Sequence, residues 1–157
     1  MSLFITQRGF DFLNHINDSL INDVIQNSVV LYKIALGNTK PNLYGEAPDK
    51  DYASGTQLYA IIETTDQEIN QEGFGSDVGW EVKFGFHRDT LEGYSVYPEM
   101  GDIIEWNDAY FEVDHVIENN IMGGVVEFKI GFLCETHMTR RSRLQIEERF
   151  RGHIGNK

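Results

Sequence analysis

Residues 103–117 read IIEWNDAYFEVDHVI. Two apolar runs, Ile103–Trp106 and Tyr110–Ile117, flank Asn107-Asp108-Ala109. A short Asn/Asp turn between such runs is a strong local hairpin signal. Just upstream, WEVKFGFH alternates, with Trp80, Val82, Phe84 and Phe86 on one face and Glu81, Lys83 and Gly85 on the other. Period-two alternation predicts a half-buried strand. Together these segments set the class: successive antiparallel strands, without the βαβ alternation that a parallel sheet requires.

Working outward, Val29–Leu36 (VVLYKIAL) predicts a strand bounded by Gly37-Asn38, Gln57–Thr64 (QLYAIIET) a second, and Val125–Cys134 (VVEFKIGFLC) the last. Residues 38–55 form a long loop punctuated by Pro41, Gly45, Pro48 and Gly55, and its Leu43 and Tyr44 are apolar anchors that need a surface. Residues 65–79 are a polar, glycine-rich loop or hairpin tip, 88–101 a connection, and 118–124 a turn. Over 12–25, Leu13, Ile16, Leu20, Ile21, Val24 and Ile25 share one helical face, opposite Asn14, Asn17, Asp18, Asn22 and Asp23. Asn and Asp are mediocre helix formers, so packing must hold this helix. A second helix is expected from Met138. The sum is a mainly β protein: a small antiparallel β-barrel or sandwich of about six strands with an N-terminal helix, long loops and a C-terminal helical arm. Trp106 and Phe128 are placed in its core.

The 157 residues suit one domain, expected over 1–137, with a basic arm over 138–157. Net charge is −12, unevenly distributed. Residues 1–137 hold seven Lys/Arg against twenty-three Asp/Glu, and residues 138–157 hold six against two. So acidic a body is a poor general DNA binder, because phosphate contacts need Lys and Arg. A basic arm on an acidic body can reach the acidic surface of a neighbouring copy. One cysteine, Cys134, excludes an internal disulfide and any multi-cysteine zinc site. No apolar run approaches the ~18 residues of a membrane helix, and the first residues lack the pattern of a secretion signal. A soluble, intracellular chain with no membrane partner is expected.

Candidate chemistry is sparse. Cys134 and His137 have a metal-like spacing, but further ligands are not evident nearby. Gly73-Phe74-Gly75 lacks the Lys-Ser/Thr of a phosphate loop and sits among Glu68, Glu72 and Asp77. Asp102, Glu105, Asp108, Glu112 and Asp114 gather on the expected hairpin. Glu112 and Asp114 alternate with Phe111 and Val113, the pattern of a strand with a solvated acidic side. The expectation is therefore no catalysis, no metal and no cofactor.

A resemblance says more. Tyr97-Pro98-Glu99-Met100-Gly101-Asp102-Ile103-Ile104-Glu105-Trp106 followed by Tyr110-Phe111-Glu112-Val113-Asp114-His115-Val116-Ile117-Glu118 resembles the neck proteins (head completion, head-to-tail connector) of contractile-tailed bacteriophages. Matches in the same order are Asn17–Val24, Leu43-Tyr44-Gly45-Glu46-Ala47, Gly73-Phe74-Gly75, Val82-Lys83-Phe84-Gly85-Phe86 and Leu133-Cys134-Glu135, spanning about residues 17–137. The arm after 137 has no counterpart, and the long loops differ in length. The resemblance implies a structural virion protein of the neck: a sixfold homo-oligomeric ring that joins the DNA-filled head to the tail and lines the DNA channel, assembled in the host cytoplasm. Its partners would be portal or adaptor proteins on the head side and tail-terminator, sheath or tube proteins on the tail side. DNA would pass non-specifically. A tail-terminator ring or a non-catalytic β-barrel interaction module is the alternative. Contact candidates are Leu43, Tyr44, Glu46 and Phe74 in the loops and Arg140, Arg141, Arg143, Arg149 and Arg151 in the arm.

Changing Arg140, Arg141 and Arg143 together to Glu should weaken assembly and leave the thermal unfolding of the isolated chain unchanged. Unaltered assembly, or loss of the unfolding transition, would refute a contact role for the arm.

Overall fold

The computed structural model describes residues 6–35, 51–65, 68–70, 77–119 and 129–139. The contact candidates Leu43, Tyr44, Glu46, Phe74, Arg140, Arg141, Arg143, Arg149 and Arg151, and Phe128, lie outside the described residues.

Helix α1 (Gln7–Ser19) starts at Thr6, whose side chain accepts the Gly9 N–H, and passes into a π-helical segment, Leu20–Ile25. That segment ends at Gln26, in the left-handed region at φ 50°, with its N–H donated to the Ile21 carbonyl at 3.0 Å. Strands follow as β1 (Ser28–Tyr32), β2 (Thr56–Tyr59), β3 (Ile61–Thr64), β4 (Glu68–Asn70), β5 (Asp77–Gly79) and β6 (Glu81–His87). A short helix α2 (Arg88–Tyr94) precedes β7 (Ile103–Trp106), β8 (Ala109–Asn119) and β9 (Gly131–Thr139). Seven strands form one antiparallel sheet in the order β2-β1-β7-β8-β9-β6-β3, and β4 and β5 pair separately.

The protein is thus mainly β, as expected, with a sheet that is not a closed barrel, and the described residues form no second large sheet to make a sandwich. The strand expected over Gln57–Thr64 divides at Ala60. Its first half pairs with β1 (Leu58 opposite Val29) and its second with β6 (Ile62 opposite Phe84). The two edges of the sheet are therefore joined through one fully buried residue, and Ala60 donates its N–H to the Asn27 carbonyl at 3.0 Å. Consecutive Cα atoms are ~3.8 Å apart, so the edges lie within two such steps at Tyr59 and Ile61. The sheet must roll almost onto itself, and the single interior fills with side chains.

The filling is aromatic. Phe84 and Phe111 are fully buried, with ring centroids 5.6 Å apart, and half-buried Trp80 and Trp106 close over them at 5.5–6.2 Å. Tilted and edge-to-face contacts of this kind favour the ring quadrupoles. Val82, Phe84 and Phe86 face inward on β6 as the alternation predicts. Trp106 packs on the core from its rim rather than within it.

The Asn107-Asp108 hairpin is present. Both residues have positive φ (50° and 60°) and Trp106 pairs with Ala109, which matches a two-residue type I′ turn. In β8 a bulge at Asp114 shifts the register between Val113 and His115. It reverses the alternation, so Val113 and Val116 pack inward and Ile117 is exposed.

Three expectations are corrected. The expected connection 88–101 contains α2, anchored by fully buried Leu91 alone, too little apolar sequence for a visible period. Among the described residues the last strand runs over Gly131–Thr139, beyond the expected end at Cys134, so Met138 and Thr139 belong to β9 and start no helix; 125–128 lie outside the described residues. Gly131 sits where a Cβ would meet the Phe86 carbonyl oxygen, which lets β9 approach β6 closely. Asp102, grouped by sequence with the hairpin carboxylates, is fully buried and stands apart from them.

Replacing Ala60 by Leu should destabilise the protein by ~1–3 kcal/mol through overpacking, as read from urea unfolding. Wild-type stability would contradict a tight joint between the sheet edges.

Candidate functional site: a helix docked by its polar face

The corner where β6 passes into α2 is polar: His87 ends the strand, and Asp89 and Thr90 open the helix. Helix α1 and its π-helical continuation dock here through Asn14 and Asp18 of the first and Asn22 of the second, each four residues on. Asn14 donates to Asp89 Oδ2 at 2.7 Å and its Oδ1 lies 3.0 Å from His87 Nε2. Asn22 donates to Asp18 Oδ1 at 2.7 Å and to Thr90 Oγ1 at 3.0 Å. Fully buried His87 places Nδ1 3.4 Å from Asp18 Oδ1 without hydrogen-bond geometry, and buried Asn22 Oδ1 has no partner among the described residues.

The apolar face that the sequence marks on this helix is therefore mostly turned outward. Among its apolar residues only Ile21 is buried, and Ile25 is half-buried. Phe12, Leu13, Ile16, Leu20 and Val24 are 64%, 40%, 44%, 42% and 71% exposed. Ile21 and Ile25 thus share the docked side with Asn14, Asp18 and Asn22, while the other five are turned to solvent. Contiguous exposed apolar side chains mark an interaction surface, where scattered ones would not.

A second feature lies where β1 gives way to residues 36–50. Ala35 donates to the Asp51 carbonyl and Ala53 to the Lys33 carbonyl, each at 2.8 Å, with Ile34 bridged to Tyr52. The two ends of the excursion are thus hydrogen-bonded together. Asp102, beside the Gly101 turn (φ 89°), fastens this base. Its Oδ1 accepts the Ile34 N–H at 2.9 Å, and its Oδ2 accepts Lys33 Nζ and the Glu99 N–H at 2.7 Å each. Lys33 Nζ also donates to the Tyr97 carbonyl at 2.8 Å and Glu99 Oε2 at 2.7 Å. The buried charge is paired, as it must be in a low-dielectric setting. The Leu43-Tyr44-Gly45-Glu46 segment belongs to the excursion that this clamp carries.

The remaining candidates do not converge. Cys134 is buried in the core, whereas His137 is exposed and its Nδ1 lies 2.8 Å from Asp114 Oδ2. Among the described residues, no three His, Cys, Asp or Glu side chains are grouped to hold a metal ion. Burial, then the charge of Asp102, pushes the Cys134 thiol up to about 12. Burial, followed by Glu112 and Asp102, pushes the Tyr52 phenol up to about 12 as well.

No protein-family model matches this chain, and no curated protein matches it significantly. Among solved structures, a chain described as "Virion of native gene transfer agent (GTA) particle" is similar at 12% identity and a TM-score of 0.47, over 71% of this chain and 93% of that one.

Because Tyr52 and Cys134 ionise less readily folded than unfolded, stability should be full below about pH 9, the ordinary thiol value, and fall as pH rises through about 12. Thermal unfolding followed across that range should show the loss, and Tyr52→Phe should lessen it. A melting temperature that is flat to pH 12, or insensitive to Tyr52→Phe, would contradict this.

Proposed function

We propose that this chain is a structural, non-catalytic protein of a phage-type virion, and that it forms a ring in the neck between the DNA-filled head and the tail. The observation that carries the reading is α1. A helix held by its polar face, with five large apolar side chains in solvent, suits a chain whose surface is completed by assembly. The clamped base of residues 36–50 supports it, because a loop fixed at its root can reach a neighbour without loosening the sheet. The ordered resemblance to neck proteins over residues 17–137 supplies the particular position.

Closed rings use head-to-tail contacts in which one patch meets a different patch on the next copy. A sixfold ring would place residues 38–55 and 65–79 at such contacts or at the channel. An acidic lumen would repel DNA phosphates and let the genome pass without sticking. Portal or adaptor proteins would sit on the head side and tail-terminator, sheath or tube proteins on the tail side.

Electron microscopy of lysates from a phage whose copy of this gene is disrupted tests the position. Filled heads beside separate, finished tails are expected. Intact infectious particles would overturn a neck role, and tails of uncontrolled length would replace it with a tail-terminator ring.

A further inference from the structure

We infer that the outward apolar face of α1 is the seat of residues 140–157 supplied by a neighbouring copy of this chain. The inference deepens the ring reading and rests on it in one respect, that copies associate. The acceptor is Leu13, Ile16, Leu20 and Val24, with Phe12 at the margin, all exposed. Residues 7–25 carry one arginine, Arg8, against Asp11, Asp18 and Asp23. Asp89 and Glu92 of α2 are exposed at the same corner.

The donor has matching chemistry. Residues 140–157 hold five arginines and Lys157 against Glu147 and Glu148. Their apolar residues include Ile146, Phe150 and Ile154, four apart, interleaved with Arg143, Arg149 and Arg151. An apolar segment rich in cations suits an apolar face on a helix of net negative charge, where charge favours the encounter and burial supplies affinity. The tail is the one strongly basic segment of an otherwise acidic chain.

Topology favours a neighbour as its source. Strand β9 starts at Gly131, paired with His87, the residue that faces Asn14 of α1. It then runs eight residues on and ends at Thr139, paired with Tyr110. At about 3.3 Å per residue this is roughly 27 Å. The tail leaves the sheet at the end opposite the corner that holds α1. A head-to-tail repeat brings it to the next copy's helix without a reversal.

The test is disulfide trapping in the full-length chain. Leu20→Cys and Phe150→Cys are made separately, mixed, and oxidised with copper phenanthroline. Ile117→Cys, at another exposed apolar site, is the control partner for Phe150→Cys. Cys134 stays in place, because it is buried. The Leu20→Cys/Phe150→Cys pair should cross-link between chains at least about tenfold faster than the control, with oligomers in sedimentation velocity. Oligomers without that preference would overturn the tail-on-helix contact and leave the ring reading standing. A chain that stays monomeric at every concentration and forms no such cross-link would overturn both. A double variant that closes only within one chain would overturn supply by a neighbour.

Discussion

Tyr59 and Ile61 are two residues apart in the chain, yet they belong to opposite edges of a seven-stranded sheet. Ala60 between them is fully buried, so the joint leaves room for a methyl group and little more. Twisted antiparallel strands can satisfy such a joint only by rolling, because the edges must meet within a few ångströms. Rolling creates one interior and dictates its contents. The inward positions of β6 and β8 hold Phe84 and Phe111, and Trp80 and Trp106 close the rim. The edges that a flat sheet would leave open are shortened by the same device, which limits edge-to-edge association.

Polar contacts then decide what the rolled sheet carries. Asp102 is buried with three donors on its two oxygens, and these belong to β1's continuation and to the turn before β7. Removing one partner of a buried, hydrogen-bonded pair typically costs ~3–5 kcal/mol, because the other charge stays desolvated. The clamp thus holds the root of residues 36–50 with more than loop closure alone. At the His87 corner, Asn14, Asp18 and Asn22 do the equivalent work for α1. In both places a polar anchor frees apolar or loop surface for other contacts.

The parts of the fold governed by local pattern were visible in the sequence. The alternation of Trp80–Phe86, the Asn107-Asp108 turn and the antiparallel class follow from period and turn chemistry. What stayed hidden depended on long-range pairing. Nothing local distinguishes QLYAIIET as one strand from two halves that serve opposite edges, and α2 offers only Leu91 as an apolar signal. The phase reversal at Asp114 needs its partner strand to be seen. The period over 12–25 marks a helix but leaves its orientation open. Apolar stripes are read as inward by default, and here the Asn14/Asp18/Asn22 stripe had an equally regular spacing and a polar corner to meet. The candidate contacts at Leu43, Tyr44, Glu46, Phe74 and the arm arginines lie outside the described residues, so the outward face of α1 is the surface that structure adds.

Assembly through the N-terminal helix requires its apolar face to be free in the separated chain. Solvent paramagnetic relaxation of methyl groups reads it directly in dilute, monomeric protein. With a soluble gadolinium chelate, the methyls of Leu13, Ile16, Leu20 and Val24 should relax strongly, while those of Ile21, Leu31 and Leu91 stay protected. Protected methyls at Leu13, Ile16, Leu20 and Val24 would mean that the helix packs by its apolar face, and the account would fail.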